Sequence, residues 1–184
     1  RVCFASLEAM KWIWVLATAL LLSAQFVRPP APPRYGYRVV KSYPHDPGAF
    51  TQGLEYRDGV LFEGTGLNGR SSVRRVRLQD GQILASVPLS GEYFGEGITV
   101  QKSRILQLTW KHGVGFIYDR ATLRKTGSFA YPGEGWGLAN DGKLIYMSDG
   151  SSTIRVWDPV TLKELRRFSV KLQGRPIDQL NELE

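Results

Sequence analysis

Four residues of different chemistry recur at one register of this chain. Gln52, Glu96, Trp136 and Asn181 each stand two positions before an apolar anchor, namely Leu54, Ile98, Leu138 and Leu183. Two amides, one carboxylate and one indole are an unusual set for loop positions, which favour Gly, Asp and Ser. Phe50, Phe94 and Trp110 stand near them in the chain. A few polar groups among aromatic walls is the expected form of a small-ligand pocket. Glu96 is the single carboxylate of the set. Against aromatic neighbours its pKa is expected to rise, which suits a proton shuttle. Any one of these residues alone reads better as a loop residue capping a blade; four at one register point to a site.

The elements that must position them follow a repeat. The anchors lie 44, 40 and 45 residues apart. After each of the first three comes a turn (Asp58-Gly59, Lys102-Ser103, Asp141-Gly142), then an apolar run beginning at Val60, Ile105 or Leu144. A third strand ends in Val76-Arg77-Leu78, Ile117-Tyr118-Asp119 or Val156-Trp157-Asp158, and a fourth spans 83–87, 125–129 or 165–170. Four short strands per ~40–45 residues is the signature of a β-propeller blade. The predicted fold is therefore all-β, with four-stranded antiparallel blades over about 53–90, 97–130 and 137–171. The innermost strands then bring the four register residues to one mouth of a central channel. Trp157-Asp158 invites a WD40 reading, but the dipeptide occurs once with no Gly-His partner, so it reads as a strand-end turn. Residues 35–184 hold about three and a half blades at this period, fewer than the four to eight that close a propeller. The expectation is an incomplete propeller domain, with an in-frame continuation of about 70 residues. Residues 36–43 are expected to add a strand to a closing blade.

Composition bounds the function. With 24 Lys and Arg, 17 Asp and Glu and 42% apolar residues, the chain is an ordinary globular one of net charge +7. Its 20 Gly and its aromatic residues favour short strands and tight turns. The lone Cys3 excludes an intrachain disulfide and a Cys-based zinc site, and His45 and His112 lie too far apart in the chain to suggest a metal centre. Arg74, Arg75 and Arg77, and Lys163, Arg166 and Arg167, read as outward positions of exposed strands rather than a nucleic-acid surface. Residues 1–9 precede Met10 and read as upstream translation. Residues 10–24, with Lys11, the uncharged run 12–22 and small Ser23-Ala24, read as a signal peptide, or as an N-terminal anchor if the run continues through Val27. Residues 25–34 form a Pro-rich linker. Any helix should be confined to 10–27. The protein is expected to be secreted or periplasmic, with membrane contact only through that anchor.

Several motifs in order carry a resemblance. Pro44-His45-Asp46-Pro47-Gly48-Ala49-Phe50-Thr51-Gln52-Gly53-Leu54 resembles the opening blade of the plant-type (type I) glutaminyl-peptide cyclotransferases, or glutaminyl cyclases. Phe94-Gly95-Glu96-Gly97-Ile98-Thr99, Leu108-Thr109-Trp110, Glu134-Gly135-Trp136-Gly137-Leu138, Ser148-Asp149-Gly150-Ser151 and Leu180-Asn181-Glu182-Leu183-Glu184 continue it, covering the chain from Tyr35 onward. The resemblance implies a five-bladed propeller that converts N-terminal glutamine of peptides and proteins to pyroglutamate, releasing ammonia without catalytic zinc or other cofactor. It implies Glu96 as the catalytic residue, and Phe50, Gln52, Phe94, Trp110, Trp136 and Asn181 as substrate-binding residues. It implies a monomer. The family also uses a later Trp and a later Lys that have no positions here, so residues 1–184 alone are expected to turn over little.

Three other readings compete. A non-catalytic peptide- or protein-binding propeller would show scattered chemistry at the channel mouth rather than a lone carboxylate among aromatic residues. A propeller hydrolase or quinone-dependent dehydrogenase would want His and carboxylate clusters. An inactive fragment of the cyclase is the third.

Overall fold

The computed structural model describes residues 31–184. The expected upstream segment, the signal or anchor with its helix, and most of the linker lie outside the described residues.

Four strands follow directly on the first motif: β1 (Thr51–Arg57), β2 (Val60–Thr65), β3 (Ser72–Val76) and β4 (Ile83–Pro88). The next sheet is β5 (Gly95–Gln101), β6 (Arg104–Thr109), β7 (Val114–Asp119) and β8 (Lys125–Ala130), and the third is β9 (Leu138–Asn140), β10 (Ile145–Ser148), β11 (Thr153–Trp157) and β12 (Glu164–Ser169). In each sheet the strands pair in chain order and antiparallel. Each is a meander, one blade of a propeller. A small hairpin, β13 (Lys171–Leu172) with β14 (Arg175–Pro176), follows the third blade; the repeat pattern did not announce it. No helix occurs among the described residues.

Local chemistry explains the turns. Asp58 and Gly59 both have positive φ, 51° and 82°, the backbone that a two-residue hairpin with the right twist requires. After the third strands of blades two and three, the Asp-x-x-Thr-Leu segments fold alike. Asp119 Oδ1 accepts from the Thr122 amide at 2.8 Å, and Asp158 Oδ1 from the Thr161 amide at 2.7 Å. Trp157 is therefore the buried end of a strand, and Asp158 starts a turn, as the sequence predicts.

Strand alternation builds two apolar layers. On β6, Ile105 packs toward the first blade with Phe62, Val73, Ile98 and Phe116. Its neighbours Leu106 and Leu108 pack the other way, with Leu138, Ile145, Met147 and Trp157. Truncating any of these to Ala would cost ~2–5 kcal/mol. β5 is buried along its whole length because blades flank it on both sides, whereas the outermost β4, β8 and β12 are largely exposed.

Two expectations need correction. Residues 36–43 form no strand, and Tyr35, Tyr37, Val39 and Val40 are exposed. A strand requires an edge to pair with, and none among the described residues meets this segment. The first Arg cluster is only partly outward. Arg74 is half-buried and pairs with Asp46 at 2.9 Å, and Arg75 donates to the Ala121 carbonyl at 2.7 Å, while Arg77 pairs with Asp80 at the surface.

Close approach at the axis sets up the site. β1 packs against β5, and β5 against β9. A Cβ on Gly53 would stand 3.0 Å from the Gly97 Cα, one on Gly97 2.8 Å from the Gly137 Cα, and one on Gly137 2.7 Å from the Glu182 Cα. The glycine after each of the first three register residues thus lets the strand starts touch in succession. The chain at Asn181-Glu182 takes the fourth position in that series.

Candidate active site

The register residues sit where the inner strands are irregular. In β1 the pairing shifts between Thr51 and Gly53, leaving Gln52 as the extra residue. In β5 it shifts between Gly95 and Ile98, around Glu96 and Gly97. At the third blade the Ser148 amide donates to the Gly137 carbonyl and the Trp136 amide donates to the Ser148 carbonyl, again two residues against one. A bulge turns a side chain out of the sheet's alternation, a common device beside active sites. Three bulges at one register turn Gln52, Glu96 and Trp136 toward one place.

That place is a cavity of about 350 Å³ lined by Phe50, Gln52, Phe94, Glu96, Trp110, Trp136 and Asn181. All seven candidate residues meet there. Phe50 is held at φ 52°, and its loop is fastened to the first blade through His45 Nε2 and Thr51 Oγ1, both bonded to the buried Glu63 carboxylate. Its ring meets Phe94 edge-on, with centroids 6.0 Å apart, and Phe94 meets Trp110 likewise at 5.7 Å. Ser148 Oγ accepts from the Gly137 amide at 2.7 Å and donates to the Asn181 carbonyl at 2.6 Å. This fixes Asn181 against the third blade.

Electrostatics single out Glu96. It is 6% exposed. Burial pushes its carboxyl up to about 8, and the nearby Glu134 charge adds to the rise. Buried carboxyls behave so because a low-dielectric site disfavours the charged form. Tyr131, at the end of β8, gives its hydroxyl to the Thr109 carbonyl at 2.6 Å; burial first, and the Glu96 charge to a lesser degree, push it up.

Sequence reasoning passed over three further groups. Glu134 Oε2 accepts from Trp110 Nε1 at 2.7 Å and from Trp136 Nε1 at 2.9 Å. Ser148 makes the bonds just described. Glu182 reaches between the inner strands, its Oε1 3.0 Å from where a Gly53 Cβ would be. Its carboxyl is pushed up to about 9, chiefly by burial, with the Glu184 and Glu96 charges adding and the Leu138 and Leu54 amides opposing. The signal for all three lay in motifs already noted, Glu182 standing beside Asn181 in the last of them.

No group of three or more His, Cys, Asp or Glu among the described residues is placed to hold a metal ion. A smaller hollow, about 180 Å³, borders Leu54, Glu55, Leu138 and Asn140. Its Glu55 is already engaged, Oε2 accepting from Thr99 Oγ1 and the Val100 amide.

Comparisons with known proteins place the chain as a whole. The family model for glutamine cyclotransferase matches residues 12–184. A glutaminyl-peptide cyclotransferase of Arabidopsis thaliana is 46% identical over 148 residues, covering 79% of this chain and 46% of that protein. The crystal structure of Myxococcus xanthus glutaminyl cyclase matches with a TM-score of 0.72 at 32% identity, covering 79% of this chain and 61% of that one. The WD40 domain of Neurospora crassa Pan2, with a TM-score of 0.55 at 13% identity over 65% of this chain and 36% of that one, shares the fold alone. The chain spans about half the length of the curated relative it matches. By sequence and by structure, it belongs to the glutamine cyclotransferase family.

Proposed function

We propose that the whole protein cyclises N-terminal glutamine of peptides and proteins to pyroglutamate, releasing ammonia. The observation that carries this reading is Glu96: one buried carboxyl, raised to about 8, in a cavity otherwise walled by aromatic rings and two amides.

The reaction needs a folded-back substrate and a moved proton. The substrate's α-nitrogen attacks its own γ-carboxamide carbon; a C–N bond forms and the bond to the amide nitrogen breaks. Being intramolecular, it asks the site chiefly to hold the reactive conformer. A peptide α-amine titrates at ~7.7–8.0, close to Glu96. Glu96 and the amine therefore share one proton, which Glu96 takes from the attacking nitrogen and passes to the departing one. Ammonia leaves and no co-reactant is consumed. The side-chain NH₂ groups of Gln52 and Asn181 supply donors for the negative charge that develops on the carbonyl oxygen. Phe50, Trp110 and Trp136 enclose the glutamine side chain and keep water from hydrolysing it to glutamate.

The test is mass spectrometry of a Gln-initiated peptide incubated with the whole protein. Loss of one ammonia, with no hydrolysed Glu product and no reaction of the Asn-initiated analogue, supports the proposal. Persistence of the intact Gln peptide overturns it in favour of a peptide-binding propeller. We further assign the protein to the secreted or periplasmic space, on the basic, apolar and small-residue order of residues 10–24. N-terminal sequencing of the exported protein checks that assignment.

A further inference from the structure

Glu134 does not line the cavity, yet it holds two of its walls. One oxygen, Oε2, accepts from both indoles, at 2.7 Å from Trp110 and 2.9 Å from Trp136. An indole N–H lies in the ring plane, so a short bond to it fixes where the ring points. Two such bonds to one atom make the rings converge and set the gap between them. Trp110 follows β6 within the second blade, and Trp136 precedes β9 at the start of the third. Glu134 thus ties the two blades together across the site. The Trp110 ring is also covered by Lys111 Nζ, 4.0 Å from its centroid, so its position is fixed from two directions.

We propose that Glu134 is a positioning residue that sets the separation of the Trp110 and Trp136 rings, and hence the fit of the cavity to a glutamine-sized side chain. This deepens the cyclisation reading and rests on it for the kinetic part of the test. A carboxylate suits the task, since hydrogen bonds to an ionised acceptor are shorter and stronger than neutral ones. Its charge has a second effect, because it favours the protonated form of Glu96. Three titratable groups are coupled to Glu96: Glu134 before the third blade, Tyr131 at the end of β8, and Glu182 from the C-terminal segment. Glu134 alone of these also holds the aromatic walls.

Two substitutions in the whole protein separate geometry from charge. Glu134→Gln keeps an acceptor oxygen for both indoles and removes the charge. KM should stay within about threefold of the parent, while the acid limb of kcat/KM moves to lower pH, since Glu96 ionises more readily. Glu134→Leu removes both bonds. KM should rise about tenfold or more. Tryptophan emission, which reports the rings without any turnover, should become more accessible to a neutral quencher in Glu134→Leu and not in Glu134→Gln. An unmoved KM and unchanged quenching in Glu134→Leu would overturn the proposal. So would a Glu134→Gln variant whose KM rises as far as that of Glu134→Leu. If Glu134→Leu does not fold, the paired result for Glu134→Gln, preserved KM with a displaced acid limb, decides alone. If the parent cyclises nothing, the functional reading fails, and the quenching comparison still judges Glu134.

Discussion

A glutamine side chain, the substrate proposed for the whole protein, would present one amide and a short apolar stem to the amides and rings of the cavity. On that proposal Trp110 gives a face to the stem, and it is itself tied to Glu134. Trp110→Ala should therefore raise KM and lower kcat together, since ground state and transition state both lose the wall. Steady-state kinetics on a Gln-initiated dipeptide would show it; a fall in kcat alone would remove Trp110 from binding. Asn181 is expected to act differently. Asn181→Ala deletes one of the two amide donors proposed for the developing charge, so kcat should fall ~10²–10³-fold with little change in KM. A variant with unaltered kcat would leave Gln52 as the sole side-chain amide donor. At this scale the sequence was unusually legible. Register and resemblance together named the seven residues that the fold brings to one cavity. Glu134 escaped although it stands four positions before its anchor, where Phe50 and Phe94 stand before theirs. An acidic residue among aromatic equivalents shows its purpose only when two indoles are seen to reach it. Glu182 escaped because the space it fills exists only once three glycine-bearing strands have met.

Strands place these side chains through their irregularities rather than their regular pairing. The bulges at Gln52 and Glu96 and the doubled pairing at Ser148 turn the register residues inward, and the following glycines let the strand starts close up. Gly97, in the middle of that series, has no room for a side chain. A Cβ there would lie 2.5 Å from the Trp136 carbonyl oxygen and 2.8 Å from the Gly137 Cα. Both are backbone atoms with no rotamer to yield. Gly97→Ala should cost ~1–3 kcal/mol or more and lower the melting temperature, whereas Gly36→Ala, which meets nothing within 4 Å, should leave it unchanged. Calorimetry on the pair checks this, and an unaltered melt in Gly97→Ala would refute the close-packed axis. The meander of each blade could be read from turns and alternation, because these are local. The bulges could not, because they lie at the strand starts, where too few residues precede the extra one for a break in alternation to show. The strand expected over 36–43 is absent because a strand needs an edge to pair with, and none among the described residues meets this segment.

Across the molecule, two buried carboxyls make stability depend on pH. Glu96 and Glu182 rise from an ordinary 4.5 to about 8 and about 9. Their protonated forms are favoured in the fold, so the native state binds more protons than the unfolded chain between those values. Stability should therefore be greatest below about pH 4.5 as far as these two groups are concerned, and decline as pH rises toward 9. Glu182→Gln removes one of them. Its melting temperature should fall less between pH 5 and pH 9 than that of the parent, and an identical decline in both would show that Glu182 titrates normally.

The same proton governs the proposed chemistry. The reactive complex carries one proton between Glu96, at about 8, and a substrate amine at ~7.7–8.0, so kcat/KM should trace a bell with its maximum near pH 8. The most direct measurement is that profile, taken on a Gln-initiated peptide for the whole protein and for Glu96→Gln. Glu96→Gln keeps size and hydrogen-bonding capacity but can neither take nor return the proton. Its kcat should drop ~10²-fold or more near pH 8, with KM changed far less and the acid limb set by Glu96 gone. Turnover by Glu96→Gln equal to the parent's, on the same bell, would contradict the account.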